Sequence, residues 1–265
     1  MRLLIAFFLL TYAITWSALY FVIHGTYLPG LTILLGTFAP AIVAIGLTYR
    51  ADGRAGLASL LRRMLIWNVP ARWYLFAVAF MPATKLLVAL LYRLGYGRWA
   101  AFGHDAWYII AIVTVTSTIP QAGEEIGWRG FALPRMAERI GLGPASIVLG
   151  VLWAGWHLPF FFVHGVDKSG QSFSLYVLEL TALSVLLAFM YVRTGGSLLL
   201  TMLMHSAFNQ SIGIVPSTVE GATNPWALST SPVAWLTVAV LWCIASYVLV
   251  RMRTPARARL EPAGA

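Results

Sequence analysis

The sequence predicts an all-α fold, a polytopic integral membrane protein of about eight transmembrane helices enclosing a polar intramembrane cavity. Three observations predict it. Of the 265 residues, 60% are hydrophobic and only 10% are charged, a balance outside the range of water-soluble domains. Apolar runs long enough to cross a hydrocarbon core of about 30 Å at 1.5 Å per residue recur along the chain. A few carboxylate, imidazole and amide side chains fall inside or against those runs, where a charge costs about 2.5 to 3.5 kcal/mol to insert and therefore calls for a function.

The first run, 3–23, follows Arg2 and carries Trp16 and Tyr20 near its far end. It is too long for the apolar core of a signal peptide and has no small-x-small cleavage site, so it reads as a retained helix. Further runs cover 31–49, 73–92, 106–123, 144–163, 173–192, 197–214 and 233–250. Between the second and third, Leu57, Leu60, Leu61, Met64 and Leu65 recur at helical spacing with Arg54, Arg62 and Arg63 toward the other face, the pattern of a helix lying in the membrane interface. Residues 1–250 are expected to form one transmembrane helical domain, and 251–265 a basic, disordered cytoplasmic tail. The single cysteine, Cys243, has no partner for a disulfide within the chain.

The net charge of +9 reports topology, not a polynucleotide partner. Threading eight spans with both termini on one side gathers Arg2, Arg50, Arg54, Arg62, Arg63, Arg72, Arg129, Arg135, Arg139, Arg193 and the arginines from Arg251 onward on that side. The other side receives Arg93, Arg98 and Lys168. This asymmetry predicts cytoplasmic termini and contact with anionic lipids at the cytoplasmic face, with no role for nucleic acid. Lys85 and Lys168 are the only lysines among many arginines, a composition that hints at a GC-rich bacterium and so at its inner membrane.

The stretch "QAGEEIGWRGFALPRM", 121–136, sets two adjacent glutamates and an arginine against an apolar run. On a helix Glu125 and Arg129 are i, i+4 neighbours able to form an ion pair, whereas Glu124, rotated by about 100°, points elsewhere. Gly123, Gly127 and Gly130 permit close helix approach, and Pro120 can kink the preceding span. "LWAGWHLPFFF" brings His157 into the fifth span, and "MLMHSAFNQS" places His205 and Asn209 on one face of the seventh. Lys85 and Glu179 also lie in spans and are assigned to structure, while Asp52, Asp105 and Asp167 fall in loops. One expectation sits badly with the rest. A straight helix from Ala106 leaves Glu124 near the cytoplasmic boundary, whereas His157, counted from Pro144, lies about 20 Å deep.

A carboxylate in a poorly hydrated pocket can act as general base for water, and imidazole and carboxamide groups can hold that water and stabilise the oxyanion formed when it attacks an amide. Hydrolysis of a peptide bond fits this inventory. No HExxH, no GxSG and no pair of intramembrane aspartates is present to support other proteolytic chemistries. Two other classes stay open on the residues alone: a proton-coupled transporter, for which the outer halves of the helices offer little beyond Lys85 and Glu179, and a non-catalytic immunity or scaffold protein.

The motifs resemble those of the CPBP intramembrane proteases, which include the type II CAAX prenyl endopeptidases and relatives linked to bacteriocin processing and immunity. The EExxxR motif matches Glu124, Glu125 and Arg129; FxxxH matches Trp153 and His157, with Trp in place of Phe; HxxxN matches His205 and Asn209. The resemblance spans about 75–215 and implies an endopeptidase acting on a membrane-embedded or lipidated peptide. It implies that Glu124 activates water with help from His157, that His205 and Asn209 stabilise the oxyanion, and that Glu125 and Arg129 orient the site. Either no cofactor is required, or Glu124, His157 and His205 hold zinc with one position open to water. The Trp153 departure is expected to affect packing and substrate fit more than chemistry. In a bacterium, prenylated substrates are not expected.

Overall fold

The computed structural model describes residues 1–25, 29–162, 168, 170–219 and 224–253. Among them the chain forms ten α-helices and no strand: α1 (Arg2–Ile23), α2 (Pro29–Arg62), α3 (Ala71–Tyr96), α4 (Trp107–Thr116), α5 (Ala122–Glu125), α6 (Leu133–Ile140), α7 (Leu142–Trp156), α8 (Phe173–Arg193), α9 (Leu198–Gln210) and α10 (Pro232–Arg253). Of the tail expected at 251–265, residues 251–253 instead continue α10, and 254–265 lie outside the described residues, as does Asp167.

Among the described residues six helices are long and apolar enough to cross a membrane. The apolar window of α8 is 72% buried against 33% in α1, α2, α3 and α10, which makes α8 the central helix and leaves the others a lipid-facing side. Polar contacts fasten the wall helices to each other. Thr15 of α1 donates to the Gly36 carbonyl of α2 at 2.7 Å and accepts from Trp156 Nε1 of α7 at 2.8 Å. The Tyr12 hydroxyl donates to the Leu152 carbonyl, and Trp16 Nε1 to that of Trp156. In lipid, where apolar surface alone does not hold helices together, such bonds contribute to association.

Two expected spans are shorter than the apolar runs that predicted them. The run 197–214 yields α9, which ends at Gln210 and passes into a short tight turn, Ser211–Gly213. The run 106–123 yields α4, which stops at Thr116. Pro120 has no N–H to continue a helix, and the chain makes tight turns there before α5. The end of α4 is fixed to α9 by Ser206, whose hydroxyl donates to the Thr114 carbonyl at 2.7 Å and lies 2.6 Å from that of Ser117. Glu124 is therefore not at the end of a straight rod, and the mismatch in depth with His157 disappears.

The segment expected in the interface is the end of α2, set off by a break at Gly53 (φ 64°, ψ −159°), a conformation that glycine alone adopts without strain. Leu60 is buried there, whereas Leu65 is 73% exposed and does not share its face.

Candidate active site

Small residues decide where the two glutamates sit. A methyl group on Gly127 would stand 2.5 Å from Cβ of Pro40 and 2.7 Å from its carbonyl oxygen, and one on Gly123 would meet the Phe38 ring at 3.0 Å. At Gly127 the turn behind α5 lies directly on the α2 backbone, and at Gly123 α5 lies on the Phe38 ring. Gly130 meets the tip of the Leu60 side chain at 2.8 Å, so all three glycines sit at close contacts, as their spacing suggested. Residues Ile126–Ala132 form a π-helical turn, a wide turn of the kind that recurs at functional sites.

Below this turn Glu125 anchors a fully buried charge cluster. Its Oε1 accepts from Arg129 Nη1 at 2.8 Å and from the Nδ1 of His205 at 2.9 Å. Glu125 and Arg129 are both 0% exposed, and the i, i+4 pairing is the one expected from the motif. With Nδ1–H given to Glu125, His205 presents an N–H at Nε2 only as imidazolium, which would stand directly against the Glu125 carboxylate.

Glu124 turns the other way. Its Oε2 accepts from Trp153 Nε1 at 2.6 Å and lies 3.9 Å from His157 Nε2. His157 Nδ1 is 2.9 Å from the Trp153 carbonyl; a carbonyl only accepts, so Nδ1 carries the hydrogen and a neutral His157 directs its Nε2 lone pair toward Glu124. A proton or a water between the two satisfies both.

Glu124, Trp153, His157, His205 and Asn209 all line one cavity of about 230 Å³. Both imidazoles flank the Trp153 indole, with ring centres 5.9 Å (His157) and 5.1 Å (His205) away. Glu125 and Arg129 lie outside the lining, behind Trp153. Tyr176 and Phe208 complete an aromatic wall, and Lys168 adds a cation to it. These three were missed: in a chain this apolar nothing distinguishes a cavity-facing aromatic from a core one, and Lys168 reads as a loop residue. Lys85 is buried and interacts electrostatically with Glu179, and neither lines the cavity.

Among the described residues no three His, Cys, Asp or Glu side chains are grouped so as to hold a metal. His205 Nδ1 is committed to Glu125 and His157 Nδ1 to a backbone carbonyl. Each of these bonds leaves the Nε2 of its imidazole for the cavity.

A carboxylate and two imidazoles lining one cavity among membrane helices are compatible with an intramembrane hydrolase, the class to which the comparisons with known proteins point. Residues 104–211 match the family described as type II CAAX prenyl endopeptidase Rce1-like, a range that holds all seven motif residues from Glu124 to Asn209. CAAX prenyl protease 2 of Methanococcus maripaludis is 24% identical over 224 residues, covering 76% of this chain and 79% of that protein. Over that stretch the chain is similar to Rce1-like endopeptidases; it is an integral, multi-pass membrane protein and an intramembrane protease, whose substrate is a membrane-associated peptide or protein.

Proposed function

We propose that the protein cleaves a lipidated or membrane-embedded peptide by a water molecule activated at Glu124, without a metal. The convergence of Glu124, His157, His205 and Asn209 on one cavity carries this reading. Glu124 takes a proton from water as its oxygen attacks the carbonyl carbon, with His157 Nε2 sharing that proton. The carbonyl oxygen becomes an oxyanion, to which Asn209 and a doubly protonated His205 donate hydrogen bonds. The C–N bond then breaks as the proton passes to the leaving amine. Glu125 and Arg129 hold His205 and the π-helical turn in place. The reading takes residues 1–250 as one domain in a bacterial inner membrane, with both termini cytoplasmic, anionic lipid against the arginine-rich face and no nucleic-acid partner.

The test is membrane peptidomics on cells carrying the wild type or Glu124→Gln, followed by cleavage of the peptides so found in proteoliposomes. Peptides that appear only with the wild type support the reading; identical peptidomes overturn it. Stoichiometric zinc in the purified protein, with activity lost to chelator and restored by zinc, would transfer Glu124, His157 and His205 to a metal.

A further inference from the structure

Glu124 and Glu125 are adjacent in the chain but turn to opposite sides of the Trp153 indole. Glu125 pairs with Arg129 at 2.8 Å; the Arg129 guanidinium carbon lies 4.0 Å from the centre of the Trp153 ring; the Trp153 N–H reaches Glu124 Oε2 at 2.6 Å. The path from one carboxylate to the other runs through these two side chains. Trp153 is itself 0% exposed and has no freedom to turn away, since both imidazoles pack against it.

We propose that Trp153 is a positioning residue: its indole N–H holds Oε2 of Glu124 and so presents Oε1 to the attacking water, while Arg129 couples this grip to Glu125. The proposal rests on the reading of Glu124 as base. An indole nitrogen is a donor only, so it fixes the carboxylate without competing for the proton that Glu124 must collect. A guanidinium on the ring face draws electron density from the indole and strengthens the N–H as a donor to an anion. The motif's usual phenylalanine would supply the ring for Arg129 but no hydrogen for Glu124. In this chain the substitution reaches the chemistry, where the sequence suggested an effect mainly on packing and substrate fit.

The experiment compares the wild type, Trp153→Phe, and a protein carrying 3-benzothienylalanine in place of Trp153, which keeps the indole shape but has sulfur where the N–H was. All are assayed in proteoliposomes on a peptide that the wild type cuts and Glu124→Gln does not. Both variants should lower kcat by about 10- to 100-fold, the scale of a slightly misplaced catalytic group, with KM within about twofold. The isostere should also shift the carboxylate infrared band that disappears on Glu124→Gln, a readout independent of turnover. Wild-type kcat and an unshifted band in the isostere would overturn the proposal, as would a raised KM at unchanged kcat, which would make Trp153 a substrate contact. If no peptide separates the wild type from Glu124→Gln, the base assignment itself fails before the variants are compared, and the infrared band alone decides whether the indole holds the carboxylate.

Discussion

Two sides of one indole treat two adjacent carboxylates in opposite ways. Behind Trp153, Glu125 is fully buried, its Oε1 shared between Arg129 and His205 at 2.8 and 2.9 Å. In front, Glu124 lines a cavity of about 230 Å³ and is held by the N–H of Trp153. A carboxylate clamped by a guanidinium has lost its use as a base, whereas one held by a neutral donor has not. On the proposed reading the charge pair behind holds the site rigid, and the single grip in front leaves room for a substrate. The difference teaches that two side chains adjacent in sequence can be given quite different partners by the fold.

The comparison can be broken most directly at the front. Glu124→Gln should lower turnover by about 10²- to 10⁴-fold, the range general-base catalysis supplies, while the melting temperature in detergent stays near that of the wild type. A variant that loses folding along with activity would place Glu124 with Glu125. At the back, Arg129→Met should destabilise the protein by about 3 to 5 kcal/mol because it strands a buried carboxylate; thermal unfolding in detergent reads this. Replacing Glu125 and Arg129 together by Gln and Met should recover part of that loss, since neither charge is then left alone. An unchanged melting temperature in Arg129→Met would show that the rear pair is not structural.

Asn209→Ala sharpens the front half. As an oxyanion donor its loss should cost on the order of 100-fold in kcat with little change in stability; near-normal turnover in steady-state assays would remove Asn209 from that role. The smallest kinetic effect is expected furthest from the cavity. Lys85→Met should lower stability while leaving kcat of the folded fraction within about twofold, since Lys85 and Glu179 do not line the cavity and sites without shared partners act nearly independently. Lost turnover at full stability would instead argue for a charge relay reaching Glu179.

Much of the rear half was legible because it depends on local geometry. The i, i+4 spacing announces Glu125 and Arg129, and Gly123, Gly127 and Gly130 announce a close backbone approach, though not that Phe38, Pro40 and Leu60 are what they approach. His205 and Asn209 share a face and do line one cavity. The front half was less so. Whether Trp153 packs or donates depends on where its N–H points, and that is set by a glutamate 29 positions away. The length of α4 was misread for a different reason: hydropathy sums apolar residues through 106–123 and is blind to the point at which the backbone leaves the helix, here at Thr116.

The contact of Gly127 with Pro40 bears on how the family's sequences can drift. The depth of the two glutamates is set by backbone resting on backbone, so no larger side chain on one helix can be offset by a smaller one on the other. A saturation scan should therefore find intolerance at Gly127 rivalling that of the motif's polar residues, with no substitution at Pro40 able to rescue it, although neither carries a group that could touch a proton. A search for active-site signatures confined to polar residues would pass over both.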